Sequence, residues 1–163
     1  MGSITGRVGG AIGGMDLVCE VSEGRYSGRI GGTFQGRDIR LELSADGRQL
    51  SGRVGGDLIG WDVQASIEGN CLHGRVGGDI LGWTAEIKGG AGEFRGRWGG
   101  EVIGYDLRLY WDHASGRFFG RIGGDTFGHN VELRFDPDVP PLVVAFLAGM
   151  TYNVYRETRS RGN

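Results

Sequence analysis

The stretch GRVGGDILGW at residues 74–83 decides the fold, because the chain contains five close copies of it. Each copy begins with a glycine followed by an arginine, and successive copies start 22 to 24 residues apart. The six starting residues are Gly6, Gly28, Gly52, Gly74, Gly96 and Gly120. A repeat of this length is typical of a stacked or closed architecture built from one supersecondary unit. We number the starting glycine as position one of each repeat.

Apolar residues recur at every second position of the repeat, which is the periodicity of a β-strand with one buried face. In the third copy, for example, Val63 and Ala65 alternate with polar residues. Position nine is glycine throughout, and a Gly-X pair between two such strands is the signature of a type II′ hairpin turn. We therefore predict that each repeat is a β-hairpin, turned with positive φ at Gly60, Gly82 and Gly104 in the central copies.

The tail after residue 136 breaks the repeat. Its stretch DPDVPP at 136–141 ends the last strand and can open a helix. The next nine residues, LVVAFLAGM, are apolar on every side, as in a helix that is buried all round. Twelve strands leave a lumen that a helix about 10 Å across would fill. The inward glycines at positions one and five would then let that helix approach the wall.

These patterns predict a mainly β fold, a twelve-stranded antiparallel barrel of six repeated hairpins that encloses a hydrophobic C-terminal helix over Leu142–Val154. We expect residues 1–163 to form a single domain. The hairpin repeats would occupy residues 6–136, and a proline linker and the central helix would occupy residues 137–163.

This architecture resembles the tubby-like superfold, which is shared by tubby C-terminal domains, plant LURP-one-related proteins and phospholipid scramblases. The resemblance covers most of the chain. Because tubby domains bind phosphoinositides through basic residues, it implies that the barrel is able to bind an anionic lipid. Fold alone does not assign function, so the residues must carry the argument.

Composition points away from several classes of function. The formal charge of −2 gives no general attraction to nucleic acid or to anionic membranes. The glycine-rich copies lack the residues of a phosphate-binding loop, and the three histidines fall at unrelated repeat positions. We therefore expect a binding module without catalytic residues, cofactor or metal. No secretion signal or membrane-spanning segment is apparent in the sequence, so we expect the protein in the cytoplasm.

The arginine at position two is the first candidate for a functional site. In the predicted register it faces position seventeen on the exposed face of the hairpin. That register gives Arg53, Arg97 and Arg121 an acidic partner in Glu68, Asp112 and Asp136. It gives none to Arg7, Arg29 or Arg75, which are therefore our candidates for binding an anion such as a phosphate or an anionic lipid headgroup.

The hairpin tips are the second candidate and the one we favour. We predict an aromatic hairpin-tip rim made of the position-eight residues Ile59, Leu81, Ile103 and Phe127 and the position-ten residues Trp61, Trp83 and Tyr105. Apolar and aromatic groups concentrated at one end of a barrel are typical of a surface that binds a protein or a second copy of the chain. A sugar is the alternative ligand, since a Trp-Asp tip would suit a multivalent lectin. Another alternative is that the tips fold over the barrel mouth and cover the end of the helix.

Overall fold

The computed structural model describes residues 2–10, 13–32, 35–56, 60–77, 82–99, 104–123 and 128–161, with side chains as far as residue 158. These residues contain twelve β-strands and one α-helix. The strands are β1 (Gly2–Gly9), β2 (Gly14–Ser22), β3 (Arg25–Gly31), β4 (Gly36–Leu43), β5 (Gln49–Gly55), β6 (Gly60–Glu68), β7 (Cys71–Gly77), β8 (Gly82–Gly90), β9 (Glu93–Gly99), β10 (Gly104–Asp112), β11 (Arg117–Gly123) and β12 (His129–Phe135). The helix is α1 (Pro141–Arg161).

The strands form one closed antiparallel barrel in which each strand pairs with the next along the chain. Closure is made by β1 and β12, with Ile4 opposite Phe135 and Val8 opposite Val131. The predicted twelve-stranded barrel is confirmed. A closed sheet of this kind leaves no unpaired edge strand.

Helix α1 lies inside the barrel and supplies its core. Every residue from Leu142 to Val154 is buried, which confirms the helix predicted over this stretch. The inward side chains of the strands pack around it in one continuous cluster. Among the described side chains of the helix, two polar residues are buried: Thr151, whose hydroxyl donates to the Leu147 carbonyl at 2.8 Å, and Asn153.

The hairpin register differs from the predicted one. Position four pairs with position nine, as in Gly55 with Gly60 and Gly77 with Gly82, so a four-residue loop connects the two strands of each repeat. Positive φ therefore occurs at position four, at 111° in Gly55 and 112° in Gly77. The predicted type II′ turn at position nine is wrong. Both registers bring inward positions together, so the hydrophobic pattern did not distinguish them.

The two ends of the barrel differ in the length of their connections. The glycine-loop end carries the loops at positions five to eight. The opposite end, the tight-turn end, joins one repeat to the next by two-residue turns such as Glu23–Gly24, with φ of 52° and 77°. Longer turns replace these after β4 and β10, which accounts for the two 24-residue spacings. In the first, Asp46 Oδ1 accepts hydrogen bonds from Ser44 Oγ at 2.6 Å and Arg48 N at 3.0 Å.

The glycines at position one mainly allow neighbouring strands of the barrel to approach each other closely, and do less to make room for the helix. A Cβ at Gly28 would lie 2.6 Å from Cys19 Cα on the neighbouring strand and would also overlap the Val18 carbonyl oxygen. The helix does contribute at Gly74, where a Cβ would lie 3.2 Å from Phe146 Cε1. At position five a Cβ on Gly10 would meet nothing within 4 Å. The expectation that these glycines make room for the helix holds at Gly74 and is wrong at the other position-one glycines and at Gly10 and Gly32, whereas Gly78, Gly100 and Gly124 lie outside the described residues. In the part of the chain that is described, no helix has the length and apolar character needed to cross a membrane.

Candidate functional site

Six residues at position ten form a collar around the C-terminal part of helix α1, at the glycine-loop end. The position-ten collar consists of Met15, Arg37, Trp61, Trp83, Tyr105 and His129. Each lies near the start of an even-numbered strand, two residues before a buried position-twelve side chain, so strand alternation turns it inward. Three of them, Trp61, Trp83 and Tyr105, belong to the predicted hairpin-tip rim.

Four collar residues are partly exposed, namely Arg37, Trp61, Trp83 and His129, and two of them are tryptophans. The Trp61 and Trp83 rings meet edge to face, with centroids 5.0 Å apart and planes at 66°. Both are partly buried and pack against the hydrophobic core. The guanidinium carbon of Arg37 lies 5.9 Å from the Trp61 ring centroid. Two residues of the predicted rim therefore do lie together, at the mouth of the barrel.

Tyr105 belongs to the core and not to an exposed patch. It is 6% exposed, and its ring stacks on Trp98 with centroids 6.3 Å apart. Its hydroxyl lies 3.3 Å from both the Gly149 carbonyl oxygen and Asn153 Oδ1, which share its single proton. Burial raises the pKa of Tyr105 well above its usual value, although the nearby positive charge of Arg156 opposes this. The predicted contiguous patch of three exposed aromatic residues is therefore wrong at Tyr105.

The remaining collar residues attach the helix to the barrel wall. Arg37 Nη2 and Glu157 Oε2 are 3.2 Å apart, and both side chains are largely buried, with 21% and 19% exposure. The His129 ring lies 5.3 Å from that of Tyr152 and 5.2 Å from that of Tyr155. Neither residue is among the sites predicted from the sequence, although their strand periodicity with position twelve indicates that they face inward.

The other predicted rim residues lie outside the described residues. These are Ile59, Leu81, Ile103 and Phe127, all at position eight. Their part in the rim stays a prediction.

The position-two arginines form clasps that close the hairpin loops. Arg53 donates from Nη1 to Asp62 Oδ1 at 2.7 Å and from Nη2 to the Gly56 carbonyl at 2.8 Å. The same arginine-aspartate contact occurs in the first, second and fifth repeats at 2.9, 2.7 and 2.9 Å, and Arg121 contacts Asn130 instead at 2.7 Å. In these five repeats the arginine therefore binds the residue at position eleven and, in several of them, a loop carbonyl.

This clasp overturns the predicted arginine partners. Arg53, Arg97 and Arg121 do not face Glu68, Asp112 and Asp136, because the hairpin loop is four residues long and shifts the register. Arg7 and Arg29, which were predicted to lack an acid and to bind an anion, form ion pairs with Asp16 and Asp38. Arg75 lies opposite Thr84, and its role as an anion ligand stays a prediction.

Comparison with known proteins identifies no relative, since no family model, curated protein or solved structure matches the chain. Within the described residues, no group of three His, Cys, Asp or Glu side chains is placed to hold a metal ion.

Proposed function

We propose that the protein is a non-enzymatic β-barrel module for binding or assembly, and that a protein partner or a second copy of the chain contacts its glycine-loop end. The observation that carries this proposal is the pair of partly exposed tryptophans at the barrel mouth, Trp61 and Trp83. Tryptophan is enriched among the residues that dominate binding energy at protein interfaces. The repeat has no structural need for tryptophan here, because Met15, Arg37 and His129 occupy the same position in other copies.

The surroundings of the two tryptophans support the same proposal. Arg37 contacts the Trp61 ring and the Glu157 carboxylate, so charged groups border the aromatic pair. An apolar centre bordered by polar groups is the usual composition of a protein interface. In the sequence, Ile59 and Leu81 lie two residues before Trp61 and Trp83, and we include them in the proposed contact.

The test replaces both tryptophans by methionine, the residue that the first repeat carries at this position. We expect the Trp61→Met, Trp83→Met variant to melt within a few degrees of the wild type, because both positions are partly exposed and the smaller replacement side chains stay apolar. Sedimentation equilibrium would measure self-association, and affinity enrichment from cell extract would compare bound partners. The matched control is Tyr110→Ser, which removes an exposed aromatic residue from the outer wall.

Loss of association in the double variant, with association retained in the control, would support the glycine-loop end as the contact surface. Association that survives the double substitution would contradict the proposal. A large loss of stability would instead show that the pair acts as core, as Tyr105 does.

Other proposals have weaker support. The proposal that the repeated arginines bind phosphate or anionic lipid is weakened, because Arg7 and Arg29 are paired with aspartate. A lectin that uses a Trp-Asp tip would have to compete for Asp62, which Arg53 already holds. Binding that weakens steeply with salt would favour arginine, whereas glycan-array binding would favour the lectin. The tubby-like resemblance rests on architecture and stays a proposal. The cytoplasmic location also stays a proposal.

A further inference from the structure

The outer wall of the barrel carries six equivalent rows of outward-facing residues, one for each repeat. In each row five residues on five adjacent strands lie directly opposite one another. The row built around the fifth repeat runs Lys88, Arg95, Arg108, Arg121 and Asn130 across β8 to β12. We call its first four residues the cationic row. Like charges that are directly opposite on neighbouring strands destabilise a sheet, so four in succession need a reason.

The five other rows are charge-balanced by comparison. Over the same five strands, each contains one or two acidic residues and no more than two arginines or lysines, and the row around the first repeat continues beyond Arg134 to Arg117 and Asp112. Around the first three repeats they are Arg134–Thr5–Val18–Arg29–Asp38, Glu20–Ser27–Arg40–Arg53–Asp62 and Glu42–Ser51–Gln64–Arg75–Thr84. Around the fourth and sixth they are Ser66–His73–Glu86–Arg97–Asp106 and Tyr110–Phe119–Glu132–Arg7–Asp16. The cationic row is therefore specific to one sector of the wall.

Local acids only partly neutralise the cationic row. Glu93 Oε1 lies 2.6 Å from Arg95 Nε and 3.3 Å from Arg108 Nε, so one carboxylate is shared between two guanidinium groups. The aspartate that would hold Arg121 in other repeats is replaced by the neutral Asn130. Arg95 and Arg108 are 61% and 52% exposed, so their charged ends are accessible to a ligand.

A groove of about 410 Å³ lies along this row. It is lined by Arg95, Gly96, Asp106, Leu107, Arg108, Arg121 and Gly123. An equivalent groove of about 450 Å³ occurs around the third repeat, where Ser51 and Gln64 replace Arg95 and Arg108. The repeat therefore builds the same groove in two sectors, and one of the two has two additional guanidinium groups.

We propose that the groove on β9 to β11 binds a small ligand with two or more phosphate-type oxyanions, held by Arg95, Arg108 and Arg121. Guanidinium groups bind such oxyanions through paired hydrogen bonds. Neighbouring strands are roughly 4.8 Å apart, so a ligand with linked oxyanions reaches two adjacent arginines at once. Its negative charge offsets the repulsion along the row. This site is separate from the tryptophan pair of the proposed function.

The test is calorimetric titration of the full chain with inorganic pyrophosphate at low ionic strength. Arg108→Gln removes the central guanidinium and should weaken binding by about tenfold or more. The matched control is Arg40→Gln, since Arg40 has the same repeat position and also faces an arginine, but its row contains Glu20 and Asp62. We expect Arg40→Gln to change the affinity by less than about twofold.

Two further measurements separate a binding role from a structural one. Asn130→Asp restores the repeat's usual acid beside Arg121, so it should weaken pyrophosphate binding without removing a donor. Arg108→Gln should melt at or above the wild-type temperature, because it relieves repulsion, and added pyrophosphate should raise the melting temperature of the wild type far more than that of this variant. Variants whose far-UV circular dichroism differs from the wild type would be replaced by Arg95→Gln.

Vesicles with and without an anionic phospholipid distinguish the sources of the phosphate group. Vesicle binding that pyrophosphate displaces would assign a lipid headgroup, and pyrophosphate binding without vesicle binding would assign a free phosphorylated ligand. Absence of pyrophosphate binding, with or without vesicle binding, would overturn the proposal. Equal losses in Arg108→Gln and Arg40→Gln would also overturn it, because they would show attraction to general charge.

Discussion

Replacing Gly149 by alanine tests how closely the central helix approaches the barrel wall. Gly149 is buried on the side of helix α1 that faces the indole of Trp98. A Cβ at this position would overlap Trp98 Nε1 and would lie 2.6 Å from Cε2 and 2.9 Å from Cδ1. The indole has little room to move, because it is fully buried and packs against Tyr105 and Phe146.

Two opposing effects determine the expected magnitude. Helix propensity alone predicts that Gly149→Ala stabilises the protein by about 1 kcal/mol. Forcing an additional carbon into a packed core costs about 1–3 kcal/mol. Because the clash is with a rigid ring, we expect the upper part of that range, and therefore a net loss of about 1–2 kcal/mol. For a chain of this size, that loss lowers the melting temperature by about 2–8 °C.

Urea denaturation would measure the change, and the Trp98→Val background supplies the control. Valine is what the third and fourth repeats carry at this position, as Val54 and Val76. In that background the clash is absent, so Gly149→Ala should be neutral or stabilising, and the double-mutant cycle should show a coupling of about 1 kcal/mol or more. If Gly149→Ala stabilises the otherwise wild-type protein, the helix does not contact the wall as described here.

Two other predictions concern the arginine clasp and the buried acids. Asp62→Ala removes the partner of Arg53 and should lower the free energy of unfolding, measured by urea denaturation, by about 0.5–1 kcal/mol. The control Gln64→Ala changes an exposed residue two positions along the same strand and should lower it by less. Equal losses in the two variants would show that the clasp adds no stability. Burial raises the pKa of Cys19 from 9.0 to about 11 and that of Tyr26 from 10.0 to about 12. Since both folded values lie above the unfolded ones, this contribution to stability is fully present below about pH 9 and is lost as the pH rises toward 12. Urea midpoints across that range should fall less steeply in the double variant Cys19→Ala, Tyr26→Phe, and an unchanged slope would assign the effect to other groups.

The barrel and its central helix were predictable because they depend on periodicity. Strand alternation predicts half-buried strands, the apolar stretch at 142–150 predicts a buried helix, and the two together agree with closure of the strands around the helix. The hairpin register was not predictable in the same way. Shifting the turn from position nine to the loop at positions five to eight keeps inward residues opposite inward residues, so burial cannot choose between the two. In five repeats the observed register is accompanied by the arginine clasp, which appears in the sequence as two residues nine positions apart, but the fourth repeat has the same register with Thr84 opposite Arg75.

Because the predicted register was wrong, the predicted partners of Arg121 and the predicted exposure of Tyr105 were wrong as well. With the turn at position nine, Arg121 faced Asp136 and appeared neutralised, and Tyr105 appeared to lie on a tip. With the observed register, Arg121 faces Arg108, and Tyr105 faces the buried Trp98. The cationic row was invisible in the sequence because its members are 7 and 13 residues apart and come together only through pairing across strands.

The two proposed binding surfaces both fall where the repeats differ from one another. The position-two arginine and the position-one glycine are present in all six copies, and the structure gives them roles in the clasp and in strand packing. A function that depended on such residues would provide six similar sites on one chain. The cationic row instead depends on Arg95 and Arg108, whose counterparts in the third repeat are Ser51 and Gln64. The pyrophosphate titration should therefore saturate at about one ligand per chain. Saturation near six ligands per chain would show that pyrophosphate binds to the repeated arginines instead.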